Sequence, residues 1–345
     1  MPLVDVHSTI EAAVVQPKTG LGMPLFVYKD ATVPAGTPIY KEFRTKTAFL
    51  ADPDLTAAKA DSTLLGKIDK IFEQKSRHEK FAILSTDDID AGIKAFIDKD
   101  FYFILSADDV PANQLVIAQH VNSNFNKRLR IAILSSLDVA AGAPFKTLEN
   151  VISLYSPIAT DYMDAALVAE VGSQRVGSVT WKFKTLYGVT TQYLTEDKML
   201  EIDDSRMIAY AFKHGEAQTT EGWLSYINDE NPNPQYIDTR HGEAWVRYDV
   251  EKRIARTLKT NPKIPYDPRG PGVLLGDATT TLKEAADMGI IGQDEDGVFV
   301  FSASAASIDD QTAEDKATRK YRGINYSYKP SGAIHEVWVT GTVLV

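Results

Sequence analysis

Residues 81–105, FAILSTDDIDAGIKAFIDKDFYFIL, decide the fold of the first half of this chain. The stretch begins with an apolar run at 81–84 and ends with another at 101–105, each of the length of a buried strand. Between them, Ile89 and Ile93 recur at helical spacing behind a pair of aspartates. A strand, an amphipathic helix and a second strand in succession predict parallel strands with a helix packed over them.

The same alternation of strand and helix extends on both sides of this stretch. The predicted elements are strands at 25–28, 81–84, 101–105 and 130–134, and helices at 64–72, 89–97, 115–125 and 162–171. Ser62 precedes the first of these helices and is predicted to be its N-cap. The pattern therefore predicts an α/β domain over residues 21–175, with a mainly parallel sheet covered by helices.

The strict alternation ends near a small, polar, glycine-bearing stretch at 172–178, which we interpret as a domain boundary. Beyond it, the apolar spacing predicts helices at 243–258, from 277 onward and at 312–322, and a strand at 298–301. The second half is therefore predicted to be α+β. The complete predicted division is an N-terminal arm at 1–20, the α/β domain at 21–175, the α+β domain at 176–330 and a C-terminal strand or arm at 331–345.

The composition is that of a folded protein with an acidic balance. Of 345 residues, 44% are hydrophobic and 24% are charged, the formal net charge is -10, and there is no cysteine. The lack of cysteine excludes disulfides, thiolate zinc sites and cysteine nucleophiles. The acidic balance argues against a dedicated nucleic-acid-binding protein, which needs a basic face. We therefore expect no direct contact with nucleic acid. Neither a signal peptide nor a stretch of ~20 apolar residues is recognisable, so we also expect no direct contact with a membrane.

The sequence contains no recognisable catalytic, cofactor-binding or metal-binding motif. The six histidines are scattered, and no glycine cluster continues into a nucleotide-binding fingerprint. Acidic pairs at 87–88 and 309–310 precede predicted helices, where carboxylates cap free backbone amides, and the acidic run at 294–296 is typical of a solvated turn. We therefore predict that the chain is not an enzyme and that it binds no cofactor.

Against this prediction, the residues alone leave an enzyme open. It would be a cytosolic α/β enzyme with an acidic cluster at the carboxyl ends of its strands, which predicts a pocket that joins Asp87 or Asp108 to a bound metal or substrate.

Both ends of the chain carry strand-like apolar residues. The residues that share a strand face are Val337, Val339, Val343 and Val345 at the C-terminus, and Val4, Val6 and Ile10 near the N-terminus. An uncovered strand of this kind would aggregate, so it must pair within its own domain or on the sheet of a neighbour. Strands at both ends suit β-augmentation, in which a chain adds its strand to an open sheet edge next door. Such head-to-tail contacts generate rings or helical filaments.

A local basic patch stands out in this acidic chain. Lys316, Arg319 and Lys320 are spaced to lie on one face of the helix predicted at 312–322. The patch is either a solvated helix face, partly paired with neighbouring acidic residues, or a docking surface for an acidic partner.

Several segments of the second half resemble a family of contractile phage tail sheath proteins. They are 177–189 (GSVTWKFKTLYGV), 263–267 (KIPYD), the helix with Lys316, Arg319 and Arg322, and 331–337 (SGAIHEV). The order and spacing of these segments match the family from about residue 176 to the end of the chain. From 20 to 175 only the length and the order of helices and strands agree, and the loop at 215–235 departs from the family pattern.

The resemblance implies a structural role in a virion tail that is assembled in the host cytoplasm. Sheath subunits of this family stack as hexameric rings around a rigid inner tube, between a baseplate and a tail terminator. The family's terminal arms complete the sheets of neighbouring subunits, which gives that role to Val4, Val6 and Ile10 and to the C-terminal valines. The resemblance also places Lys316, Arg319 and Lys320 against acidic groups of the tube protein. An alternative that stays open is another virion or secretion-machine part, such as a tube or baseplate protein, and a tube protein is expected to be smaller and mostly β.

Overall fold

A computed structural model of the chain describes residues 21–123, 129–227 and 233–341. The strands are β1 (Pro24–Lys29), β2 (Ile39–Phe43), β3 (Phe81–Thr86), β4 (Phe103–Ser106), β5 (Ile131–Ser136), β6 (Val151–Tyr155), β7 (Met207–Lys213), β8 (Glu216–Thr219), β9 (Phe301–Ala305) and β10 (Ile324–Tyr328). The α-helices are α1 (Lys46–Leu50), α2 (Thr56–Ala60), α3 (Ser62–Glu73), α4 (Ile89–Ala95), α5 (Pro111–Ser123), α6 (Val139–Gly142), α7 (Met163–Leu167), α8 (Glu196–Asp204), α9 (Ile237–Thr260), α10 (Arg269–Asp287) and α11 (Ala313–Ala317). Short 3-10 turns cover Ala143–Thr147 and Ala159–Asp161, and a π turn covers Val168–Gly172.

The first eight strands form one sheet in the order β2-β3-β1-β4-β5-β6-β7-β8. All neighbours from β3 to β7 are parallel, while β2 and β8 lie antiparallel at the two edges. The predicted mainly parallel sheet with helix cover is therefore confirmed. The order of β3, β1 and β4 shows that the chain adds strands first on one side of β1 and then on the other, as in doubly wound folds.

Helices cover this sheet on both faces, which explains why its strands read as unbroken apolar runs. In β3 every residue is buried, and alternate side chains enter different cores. Ile83 joins one core with residues of α3 and α7, such as Ile68. Leu84 joins the other core with residues of α4 and α5, such as Ile117. No helix among the described residues is long and apolar enough to cross a membrane.

The sheet does not end at the boundary predicted at residue 175. Strands β7 and β8 come from the predicted second domain, and Leu154 of β6 pairs with Ile208 of β7. The helix α9 links the two halves, because Ile237 and Ala244 pack in the core of the large sheet while Val250 packs against α10. The division into domains stays a prediction, with the last two strands of the large sheet lying beyond its boundary.

The second half adds a small antiparallel sheet to the helices α9 and α10. Strands β9 and β10 pair with each other, from Phe301 opposite Tyr328 to Ala305 opposite Ile324. One face of this ribbon packs on the core formed by α9 and α10, through Phe301, Ala303, Ile324 and Tyr328. The predicted α+β character of this region is present in these elements.

Local details of several predicted elements are wrong. Asp61, rather than Ser62, caps α3, because its side chain accepts a hydrogen bond from the amide of Leu64 at 2.8 Å. Helix α10 begins at Arg269 rather than at 277, since a proline in the first turn of a helix lacks only an amide that would be unpaired there. The strand predicted at 298–301 begins only at Phe301, because the preceding residues form a tight hairpin around Asp294.

Candidate inter-subunit site

The C-terminal segment leaves the body of the subunit after residue 331. The amide of Ser331 donates to the carbonyl of Ile290 at 2.9 Å, and residues 332–341 then belong to no helix or strand of the described chain. Val337, Trp338 and Val339 are 73, 87 and 88% exposed. Full burial of one large apolar side chain is worth about 1.5–3 kcal/mol, so this segment gains considerable stability wherever it finds a cover.

The small sheet has two edges with unpaired backbone groups. Within the described residues, β9 has only β10 as a ladder partner and β10 has only β9. A lone two-stranded ribbon is marginal, and the half-buried inner-face residues Phe301 and Ile324 show that its cover is incomplete. Neither strand carries a charge, since β9 reads FSASA and β10 reads INYSY. Charged residues are a common protection of exposed edges, so these edges are chemically suited to accept further strands.

The root of the C-terminal segment is held on the body by one side chain. The Nε2 atom of His335 lies 2.8 Å from the hydroxyl oxygen of Thr180. Its ring meets Tyr236 and Phe183 edge to face, with centroid distances of 4.9 and 6.2 Å. Beneath it lies a pocket of about 360 Å³ whose wall includes the buried ion pair of Lys182 and Glu221, 2.6 Å apart. His335 thus lies half-buried against the body, while its neighbours in the segment 332–336 are exposed.

The basic patch does not have the helical geometry that its spacing predicted. Helix α11 ends at Ala317, and Arg319 has a φ of 55° in the left-handed region. The amide of Lys320 donates to the carbonyl of Asp315 and that of Arg319 to the carbonyl of Lys316, which is the Schellman arrangement that ends a helix. Lys316, Arg319 and Lys320 are all exposed, but only Lys316 lies within the helix.

The acidic pairs serve several structural purposes, one of which differs from the prediction. Asp88 caps α4 by accepting a hydrogen bond from Ala91, as predicted for the pair at 87–88. The pair at 309–310 does not cap α11, because Thr312 does so. The run at 294–296 forms the predicted turn, in which Asp294 accepts from the amide of Val298 at 2.8 Å.

The carboxylates at the carboxyl edge of the large sheet are engaged with the protein itself. Asp108 accepts hydrogen bonds from the side chains of Ser106 and Asn113 at 2.9 and 2.7 Å. A site that joins Asp87 or Asp108 to a metal gains no support from this geometry, since the described residues contain no group of three or more potential metal ligands.

A buried ion triad lies next to these carboxylates. The ammonium of Lys67 donates to the carbonyl of Ser106 at 2.8 Å and to Asp109 and Asp164 at 2.5 Å each. Burial lowers the pKa of Lys67, but the two carboxylates outweigh it and raise the pKa overall. Burial also raises the pKa of Asp109 to about 6, against the opposing effect of Lys67. With three acceptors for three N–H groups, Lys67 ties α3 to β4 and α7 and is not a free nucleophile.

Some of the predicted site residues lie outside the described part of the chain. They are Val4, Val6, Ile10, Val343 and Val345. Val337 and Val339 are described and exposed. The sequence does not predict the open edges of the small sheet, because β9 is short and rich in serine and alanine and β10 also has only five residues. Nor does it predict the contacts of His335 with Thr180 and Tyr236.

The chain matches no protein-family model and no curated protein, but its fold occurs in contractile assemblies. A chain of the PVC sheath complex, from an extracellular contractile injection system in its contracted state, aligns with a TM-score of 0.68 and 11% identity over 99% of this chain and 98% of that chain. A chain of the anti-feeding prophage baseplate aligns with a TM-score of 0.66 and 12% identity over 100% of both chains. The sheath tail protein of Listeria innocua aligns with a TM-score of 0.56 and 10% identity over 83% of this chain and 89% of that chain.

The chain therefore has the fold of contractile sheath subunits, over nearly its whole length. The resemblance to tail sheath proteins seen in short segments of the sequence is confirmed at the level of the fold. By their descriptions, one of these three chains comes from an extracellular contractile injection system, one from an anti-feeding prophage baseplate, and the third is a sheath tail protein.

Proposed function

We propose that this chain is the repeating subunit of a contractile sheath, a structural protein that acts by polymerising and changing its packing rather than by catalysis. The subunits stack as hexameric rings around an inner tube, and contraction drives the tube through the envelope of a target cell. The likeness in fold supports this proposal, and so does the exposure of the C-terminal segment described above.

The observation that carries the proposal is the combination of an unpaired strand-like segment with an uncharged, open sheet in the same chain. Val337, Trp338 and Val339 project from the body, while β9 and β10 offer free edges. If the segment of one subunit adds to the small sheet of the next, each new backbone hydrogen bond contributes about 1 kcal/mol net. The contact is head-to-tail, so it propagates without limit unless its rotation closes a ring.

The small sheet has two outer edges, one at β9 and one at β10, and each can accept one terminal strand. We assign one edge to the C-terminal strand and the other to an N-terminal strand with Val4, Val6 and Ile10. The two arms would then keep the lattice linked while the bodies rotate. No nucleotide is needed for this motion, because an extended lattice that is metastable releases its own energy on triggering.

The tube, baseplate and tail terminator proteins are the proposed partners. We assign the tube contact to Lys316, Arg319 and Lys320, which are exposed and lie close together in sequence at the end of α11. Acidic groups on the tube would suit these side chains, and such exposed contacts weaken with salt. No cofactor, nucleic acid or membrane contact is part of the proposal, and the proposed location is the tail of a virion or of a phage-like particle.

Deletion of residues 337–345 tests the proposal. We expect the full-length chain to form striated hollow cylinders in negative-stain micrographs, and the truncated chain to remain as discrete, folded particles with unchanged circular dichroism. Smooth narrow tubes from the full-length chain would indicate a tube protein, and discrete particles under all conditions would favour an enzyme. Normal cylinders from the truncated chain would refute the role of the C-terminal strand.

A place in the ring next to the baseplate is a second candidate, favoured by the full-length likeness to a chain of a baseplate structure. A baseplate-proximal subunit would form single rings or short stacks, whereas the repeating sheath subunit forms cylinders of many rings. The length of the particles in the same micrographs separates the two.

A further inference from the structure

The C-terminal segment changes character within a few residues, and His335 marks the change. Ile334 is 78% exposed, but the next residue is held against the body by Thr180, Tyr236 and Phe183. Two residues further on, Val337 is again 73% exposed. No backbone hydrogen bond of residues 332–336 to the body accompanies these side-chain contacts in the described chain. The side-chain hydrogen bond and ring contacts described for this segment are therefore those of His335.

The surroundings of the imidazole explain why it can hold the segment. Nε2 faces the hydroxyl of Thr180, while Nδ1 is buried without a hydrogen-bond partner among the described residues, so the hold depends on Thr180 and on the ring contacts. The ring edge meets two aromatic side chains, an arrangement worth about 0.5–1.5 kcal/mol for each pair beyond area burial. The charged groups near the ring are Lys182, Asp238 and Glu336, which also line the pocket beneath it.

We propose that His335 is a positioning residue that fixes the point and direction at which the C-terminal arm leaves the subunit. The proposal rests on the sheath function above and gives its arm a defined root. Without the anchor, the free arm would begin after Ser331 instead of near Val337. Five more free residues add up to about 17 Å of reach at ~3.4 Å per residue.

A longer free arm binds less effectively to the sheet edge of a neighbour. The effective concentration of a tethered strand at a neighbour's edge falls steeply once the tether is longer than the span requires. If the start of the arm were not fixed, rotation of one subunit would be transmitted less completely through the arm to its neighbour. Anchoring by His335 therefore serves both assembly and the coupling of neighbouring subunits.

Distance measurements between two spin labels test the anchor without any assembly. The chain has no cysteine, so Val337→Cys and Lys259→Cys label only these two exposed positions. Lys259 lies twenty residues along α9 from Thr239, which lines the same pocket as His335, and so about 30 Å away at 1.5 Å per residue. In unassembled full-length subunits, we expect a narrow distance distribution that becomes at least twofold wider on His335→Ala.

Companion variants separate anchoring from general disturbance. Thr180→Val removes only the hydrogen bond and should broaden the distribution by less, and His335→Gln should restore part of the order lost in His335→Ala. Ile334→Ala is the matched control, because its side chain is adjacent but exposed, and it should change nothing. An unchanged width in His335→Ala, with the thermal midpoint of the subunit also unchanged, would overturn the anchor.

The same variant is then compared in assembly. We expect His335→Ala to raise the subunit concentration needed for cylinders by about tenfold, and Ile334→Ala to leave it unaltered. Equal critical concentrations would contradict the proposal. If the unmodified chain forms no cylinders, the sheath function fails, while the label distances still decide whether His335 anchors the segment.

Discussion

The two sheets of this chain treat their edges in opposite ways. The outer strand β2 of the large sheet reads IYKEF, and its Lys41 is paired with Asp52 at 2.7 Å and Asp54 at 2.5 Å. The small sheet has no charge in either strand, and within the described residues neither of its outer edges is paired. Since charged edges discourage pairing with other chains, the edge at β2 is protected in a way that the edges of the small sheet are not.

The two sheets also differ in how deeply their strands are buried. Central strands of the large sheet such as β3 are completely buried between helices, whereas the residues of β9 and β10 are at best half-buried. If the proposed sheath assembly forms through the small sheet, the stability of the subunit and the stability of the polymer reside in different parts of the chain. Substitutions in the large sheet should therefore unfold the subunit, while substitutions in the C-terminal region should affect assembly alone.

The largest effect is expected from the buried ion triad of the large-sheet region. Lys67→Met leaves Asp164, which is fully buried, without its counter-charge, and should lower the free energy of unfolding by about 3–5 kcal/mol. Lys94→Met breaks the exposed pair with Asp90 and should cost less than about 1 kcal/mol. Urea unfolding followed by circular dichroism measures both. Equal, small effects would show that the triad contributes little to the fold.

The next effect depends on pH and concerns His241, which is buried on α9, and His78, whose ring nitrogens are buried. Burial lowers the pKa of His241 to about 3. Burial also lowers the pKa of His78 to about 3, and the nearby His241 adds a smaller effect in the same direction. The unfolded chain binds these protons near pH 6.5 and the folded chain does not, so stability falls as the pH drops from 6.5 towards 3. At pH 5 each histidine should cost about 2 kcal/mol.

Replacement of one of these histidines isolates its share of the pH dependence. His241 stacks on Tyr102 with a centroid distance of 4.8 Å, so His241→Phe keeps the ring contact and removes the titration. Thermal melts at pH 7 and pH 5 should show a smaller difference for this variant than for the unmodified chain. An identical difference in both proteins would mean that His241 does not titrate on unfolding.

Substitution of Trp338 should affect assembly and leave the stability of the subunit unchanged, in contrast to substitution of these core residues. It is 87% exposed in the subunit, so Trp338→Ala should change the free energy of unfolding by less than about 0.5 kcal/mol. If a neighbour covers the side chain, loss of its contact area should raise the critical concentration for cylinders about tenfold or more. Sedimentation of assembled material measures this. Normal assembly would place Trp338 outside the interface.

The smallest effect is expected from the exposed basic residues. Changing Lys316, Arg319 and Lys320 together to alanine should alter subunit stability by no more than about 0.5 kcal/mol and should leave empty cylinders intact. Binding of the tube protein should weaken, most clearly at low salt. Alanine at the exposed Lys259 and Lys263 serves as control. Equal tube binding by both variants would remove the assigned contact.

The sequence predicts the large sheet well, because residues such as Phe81 and Leu105 form apolar runs that only buried parallel strands explain. It does not show that β7 and β8 join this sheet, since that pairing depends on contacts far apart in the chain. The end of α11 was mispredicted because a non-glycine residue, Arg319, adopts the left-handed conformation that usually calls for glycine.

The candidate site was predictable only in part. The apolar alternation around Val337 and Val339 identifies a strand in need of a partner, and the structure shows these side chains exposed. The accepting edges were not predictable, because short runs such as FSASA carry no strong strand signal. Likewise, the role of His335 depends on Thr180 and Tyr236, which come from distant parts of the chain.

Disulfide formation between different subunits tests most directly whether the C-terminal strand belongs to another copy of the chain. Subunits with Val339→Cys are mixed with subunits that carry one cysteine at an exposed position of the small sheet, namely Ser302, Ser304, Asn325 or Ser327. Because each chain then has a single thiol, any mixed disulfide joins two molecules. We predict that oxidised cylinders yield mixed dimers, identified by mass spectrometry, with at least one of the four positions. Cylinders that form normally and give no mixed dimer at any of them would contradict the account.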